Sequence, residues 1–244
     1  MDPNDDQWQG LTPAARAALQ LRDYKKGSLG EQIAQTGVDA GLLATTDRAE
    51  IYDAWVPGVE IFARTIYPQR HRGSFGEFVR RDEGPLAEIA LWPQQWAAAR
   101  MFAGTAKGFH VHPPSVPAGR APGEWFQQLF VGESDDFSLR PYEEEQWDVM
   151  FFVQGRVEII LHETRAGLPP RTMRFFIDGD NHRSANNVAV VIPAGVAHAL
   201  RVEGSEDVIM VYGTSTSFQA EAEGRIASEI ETAQLPESWQ KFIA

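Results

Sequence analysis

From Val59 onward the chain is cut into short apolar runs by Gly and Pro, and few folds tolerate that texture. The runs Ile61–Ile66, Ala87–Trp92, Ala97–Phe102, Lys107–His112, Val149–Val153, Val157–His162, Met173–Ile177, Ala189–Ile192, Ala199–Val202 and Val208–Tyr212 each have strand length. None is long enough to be a typical helix, and many short strands at regular spacing specify a sandwich or barrel. Gln154-Gly155-Arg156 and Pro193-Ala194-Gly195 read as turns inside that region, and 113–145, rich in Pro, Gly and acid, reads as a long surface loop. Loops of that length in a compact domain commonly serve as lids or binding loops.

The ends differ in pattern. Thr12-Pro13 suits an N-cap followed by a first-turn proline, leading into Ala14–Leu19, and residues 218–231 also look helical. The expected organisation is a helical N-terminal arm over 1–57, a β-barrel over 58–216 and a helical C-terminal extension over 217–244. A net charge of −12 argues against nucleic acid and against anionic membranes as partners. The first six residues lack the basic and apolar regions of a signal peptide, and no apolar run approaches bilayer-spanning length, so a cytoplasmic protein is expected. With no cysteine in the chain, any metal must be held by His, Asp or Glu.

Three histidines and one aspartate carry the chemical signal. His110 and His112 lie two apart, so on a strand both rings face the same side. In Asp148-Val-Met-Phe-Phe-Val-Gln-Gly155, Met150 and Phe152 share the face of Asp148, while Val149, Phe151 and Val153 face away. A strand apolar on both faces is buried on both, so Asp148 needs a partner. His198 follows the Pro193–Gly195 turn at a strand start.

These residues resemble the two motifs of the cupin superfamily. Gly104, His110, His112, Asp148 and Gly155 follow the first motif, with Asp in place of Glu and a long insertion after His112. Pro193, Gly195 and His198 follow the second, with Asn187 at its first glycine. The resemblance implies an all-β double-stranded β-helix, or jelly roll, with His110, His112, Asp148 and His198 as ligands of one divalent metal. Fe, Mn, Ni, Cu and Zn all suit such a donor set.

A second resemblance, from Val59 to Ile226, is to the dTDP-4-dehydrorhamnose 3,5-epimerase family, cupins that work without metal. Arg72-Gly73-Ser74-Phe75-Gly76-Glu77 matches that family's early signature, and Lys107-Gly108-Phe109-His110 matches the motif bearing its catalytic base. Tyr212-Gly213-Thr214 resembles a further strand of the family, and Gly108-Phe109-His110-Val111-His112 is similar to related ketoisomerases of 4-keto-6-deoxysugars. The resemblance implies His110 as base, Lys107 near the developing oxyanion, and Arg72, Phe75, Glu77 and Tyr212 as substrate-binding residues. It also implies a homodimer, because the Arg72–Glu77 segment resembles one that crosses between subunits.

The chain departs from that family at four places, one of them Lys107, which stands where the family's histidine motif has arginine. Ser217 or Phe218 stands where its catalytic tyrosine falls, Asp148 replaces its active-site lysine, and only Glu231 lies near its base-orienting aspartate. An isomerase or epimerase of a carbohydrate-like carbonyl, possible metal assistance included, is therefore weighed against two alternatives. These are a metal-dependent oxygenase or lyase and a non-catalytic sugar-binding cupin. His71 is expected to be solvated or to face phosphate, His162 and His182 to lie at the surface, and Trp92, Trp96, Trp125 and Trp147 to pack rather than bind.

Overall fold

The computed structural model describes residues 56–64, 66–88, 92–112, 119, 145–165, 172–182, 187–219 and 224–225. Twelve strands form within them: β1 (Glu60–Ala63), β2 (Ile66–Pro68), β3 (Ser74–Gly76), β4 (Gln95–Met101), β5 (Ala106–Val111), β6 (Asp148–Gln154), β7 (Arg156–Glu163), β8 (Thr172–Asp178), β9 (Val188–Ile192), β10 (Val196–Glu203), β11 (Val208–Thr214) and β12 (Gly224–Arg225). Two five-stranded antiparallel sheets run in the orders β1-β9-β6-β11-β4 and β12-β5-β10-β7-β8, and β2 and β3 form a separate hairpin. This is the expected jelly roll.

The core lies between the two sheets. Ile61, Met150, Phe152, Val188, Val190, Ile192 and Val208 come from one sheet, and Val157, Ile159, Leu161, Met173, Phe175, Ile177 and Val202 from the other. Each is a strand residue whose neighbours in sequence face outward, so the period of two fixes the register of every strand. The outer face of β6 and β9 is apolar as well: Val149, Phe151, Ala189 and Val191 pack under Leu86, Phe62, Phe78 and Val79. That second layer explains why β6 and β9 read as continuous apolar runs.

Two expectations fail. Residues 85–88 form a single helical turn, α1 (Pro85–Glu88), where a strand starting at Ala87 was expected. Gly84 at φ +90° and Pro85 at the first helical position set up that turn, for which proline's fixed φ is suited. Residues 224–225, expected in a helix, instead pair antiparallel with Val111 and His110 and extend the β5 edge as β12. The proposed N-terminal helical arm, Trp125 and Glu231 lie outside the described residues. No helix among the described residues is long and apolar enough to cross a membrane.

Candidate functional site

At the β4–β5 edge the core gives way to a cavity of about 190 Å³. Small residues make the room: Ala99 on β4 and Gly108 on β5 line it where larger side chains would close it. Gly108 also permits close approach of β5 to β10, since a Cβ there would lie 2.5 Å from Ala199 Cβ. Lys107, His110, His112, Gln146, Asp148, His198, Tyr212 and Thr214 present polar groups to the cavity; Met150, Leu200, Met210 and Phe218 supply apolar wall.

A register shift between β5 and β10 decides which side chains meet there. Pairing advances two residues on β10, from His198 to Leu200, and three on β5, from His110 to Lys107. The extra residue is a bulge, which re-aims side chains locally. In a regular strand Lys107 would face away from His110; the bulge lets both line one cavity.

Within the cavity His112, Asp148 and His198 form a tight buried group. Their candidate ligand atoms all lie within 4.8 Å of one another. His112 Nε2 is 2.8 Å from Asp148 Oδ2, and His198 Nε2 is 3.7 Å from the same oxygen. The His198 ring packs against both other imidazoles, with centroids 5.5 Å from His112 and 5.9 Å from His110. His110 is half-buried and belongs to the cavity wall, but it stands outside the tight group. The Pro193–Gly195 turn is tied to this centre by Gly195 N–H, which donates to the His112 carbonyl at 2.7 Å.

Electrostatics follow from burial and these contacts. Burial alone would raise the carboxyl of Asp148, but His112, His198 and the amide of Gln146 together hold it below the ordinary carboxylate range. Burial pushes the His198 imidazole down to about 4, against the opposing pull of Asp148. At neutral pH the centre therefore holds a carboxylate beside an unprotonated His198, which suits either proton abstraction or cation ligation.

The other expected site residues divide. Lys107 and Tyr212 reach the cavity. Arg72 and Phe75 do not: they are exposed on the β2–β3 hairpin, where Phe75 stacks on Tyr67 at 6.3 Å. Glu77 lines a different hollow, beside Phe62, Arg64 and Phe78. Trp96 and Trp147 pack on the outer layer over Phe151 and its neighbours, and Trp92 lies under Arg81. His71 is exposed as expected; His162, expected at the surface, is half-buried and bonded to Thr172 Oγ1 at 2.8 Å. Phe218, one of the two positions expected to match the family's tyrosine, lines the cavity wall, with its backbone N–H donating to Gln95 Oε1. Gln146, Thr214 and Thr216 were not anticipated, although Gln146 lies at the two-residue spacing that shares a strand face with Asp148.

No family model matches the chain. It is 26% identical over 165 residues to the spore coat polysaccharide biosynthesis protein SpsL of Bacillus subtilis, a match covering 66% of this chain and 83% of that protein. Among solved structures it is similar to a dTDP sugar isomerase from Desulfovibrio desulfuricans G20, with a TM-score of 0.51, 12% identity, and coverage of 70% of this chain and 85% of the other. It is also similar to NovW, a 4-keto-6-deoxy sugar epimerase from the novobiocin biosynthetic gene cluster of Streptomyces spheroides, with a TM-score of 0.50, 16% identity, and coverage of 75% and 80%. The fold is thus the cupin jelly roll found among sugar epimerases and isomerases.

Proposed function

We propose that this chain is a sugar epimerase or isomerase acting beside a ketone, with nucleotide-linked 4-keto-6-deoxysugars as its substrate class. The observation that carries this reading is the shared opening of His110 and Lys107 on one cavity, brought about by the β5 bulge. The names of the similar proteins, one in polysaccharide biosynthesis and two acting on sugars, support the same chemistry.

Epimerisation requires a base for the carbon-bound proton and a positive or hydrogen-bonding partner for the enolate oxygen. His110 takes the proton from the carbon next to the ketone, the electron pair moves into the carbonyl, and the Lys107 ammonium stands by the oxygen that becomes negative. Return of a proton to the opposite face of the same carbon gives the epimer. Phe218 carries no exchangeable proton, so the returning proton comes from another group at the cavity, and Tyr212 is the phenol that lines it.

A metal is a finer part of this reading. Two imidazoles and one carboxylate within 4.8 Å fit a divalent cation, and all three residues are buried. His112, Asp148 and His198 would hold it, with His110 adjoining. A cation bound there supplies Lewis acidity toward a carbonyl oxygen. This donor set also favours a second reading, a metal-dependent cupin oxygenase or lyase.

Elemental analysis of the purified protein beside a His112→Ala variant separates the two. Near-stoichiometric metal lost in the variant supports the metal-dependent forms, and metal below about a tenth of an equivalent in both supports the metal-free reaction. Calorimetry with a dTDP-linked ketosugar tests the substrate class; absence of binding removes it. We also propose a homodimer, because Arg72 and Phe75 project on a hairpin away from their own cavity. A monomer mass in light scattering would overturn that.

A further inference from the structure

Gln146 is only 2% exposed and lies two residues ahead of Asp148. Its carbonyl end is taken: Thr216 Oγ1 donates to Gln146 Oε1 at 2.6 Å. The NH2 end is thereby turned inward. It donates to Asp148 Oδ1 at 3.0 Å and stands 3.1 Å from both ring nitrogens of His112. Thr216 is itself fixed, because its carbonyl accepts from Thr214 Oγ1 at 2.6 Å.

The backbone on either side of this amide is stitched across the same gap. Ser215 N–H donates to the Trp147 carbonyl at 2.9 Å, and Trp147 N–H donates to Ser215 Oγ at 2.7 Å. Ser215 Oγ donates onward to the Glu145 carbonyl at 3.0 Å. Segments 145–147 and 214–216 are therefore tied together, and the Gln146 amide is bonded at both its ends.

A carboxylate has two equivalent oxygens and accepts from several directions. We infer that Gln146 is a positioning residue: by engaging Oδ1, and being held by Thr216, it aims Oδ2 of Asp148 at the histidine pair. That oxygen is the one lying 2.8 Å from His112 Nε2 and 3.7 Å from His198 Nε2. An amide does this without adding charge, whereas a glutamate at 146 would place a second anion beside Asp148. Outer partners of this kind orient the groups that act on substrate or cation. The inference stands on contacts within the chain and does not depend on whether the cavity takes a sugar or a metal.

The experiment uses full-length, metal-stripped protein labelled with 15N-histidine, with His112→Asn and His198→Asn variants to assign the ring signals. Gln146→Leu and Thr216→Val are expected to shift the His112 and His198 ring-nitrogen signals, leaving those of His162 and His182 in place. Thr216→Ser keeps the hydroxyl and is expected to keep the wild-type signals. Unchanged His112 and His198 signals in Gln146→Leu would overturn the inference. So would a Thr216→Ser protein that departs from wild type as far as Thr216→Val does. If Gln146→Leu does not fold, the two Thr216 variants, each a small change in volume, decide the matter by themselves.

Discussion

Glu163 and Arg165 form a buried ion pair at the end of the barrel that carries His198, and breaking it is expected to cost more than any surface change. Their side chains are 0% and 1% exposed. Glu163 Oε1 accepts from Arg165 Nε at 2.7 Å and from its backbone N–H at 2.9 Å, while Oε2 accepts from Nη2 at 2.5 Å. Nη2 also donates to the Pro57 carbonyl at 2.6 Å, which fastens the segment entering β1 to this end of the barrel. Glu163 pairs with Val196 on β10, two residues from His198. In Glu163→Gln the shape is kept but the buried guanidinium loses the carboxylate it is paired with. Such a break costs about 3–5 kcal/mol. For a chain of this size each kcal/mol lowers Tm by roughly 2–4 °C, so the drop should be about 6–20 °C. Replacing both partners, as Glu163→Gln with Arg165→Met, removes the stranded charge and should recover much of the loss. Urea denaturation of wild type, both single variants and the double variant completes the cycle. A Glu163→Gln cost below about 1 kcal/mol, or additive costs in the double variant, would refute the reasoning.

Two further outcomes follow from individual residues. Burial holds the His162 imidazole down to about 4, so as pH falls the unfolded chain takes up that proton first. Stability is therefore lost between about pH 6.5 and 4, by roughly 1–2 kcal/mol once the half-exposed position is allowed for, and His162→Gln should flatten that part of the profile in denaturant titrations. A variant as pH-sensitive as wild type over this range would contradict it. Gly108→Ala would set a Cβ 2.5 Å from Ala199 Cβ and 2.6 Å from its Cα, at a backbone φ of +136°. Overpacking and left-handed strain together should cost about 2–5 kcal/mol and displace His110 from His198, read by denaturation and by the histidine ring signals; a loss under about 0.5 kcal/mol would be inconsistent with that contact.

Much of the barrel was legible because its strands obey a period of two. Val157, Ile159 and Leu161 alternate with outward residues, and turn residues such as Gly155 mark where the chain reverses. His110, His112, Asp148 and His198 were legible for another reason: their spacing around two turns is unusual enough to stand out. The bulge that turns Lys107 toward His110 was not, since an extra residue in a strand leaves no mark in alternation until its partner strand is known. The role of Gln146 was hidden as well, because it depends on Thr216, which is distant in sequence and reaches it only across paired strands. For Arg72, Phe75 and Glu77 the motif was legible but its placement was not. Their motif is present, yet chain topology sets Arg72 and Phe75 on a projecting hairpin and Glu77 against a separate hollow.

The most direct test of the proposed reaction is solvent exchange at the substrate carbons beside the ketone. Full-length protein is incubated with dTDP-4-keto-6-deoxyglucose in D2O, and deuterium in the recovered sugar is located by NMR and mass spectrometry. Wild type should introduce deuterium next to the carbonyl, and His110→Asn should bind the sugar without doing so. A wild-type protein that leaves the sugar unlabelled, or a His110→Asn protein that exchanges as fast as wild type, would contradict proton abstraction by His110.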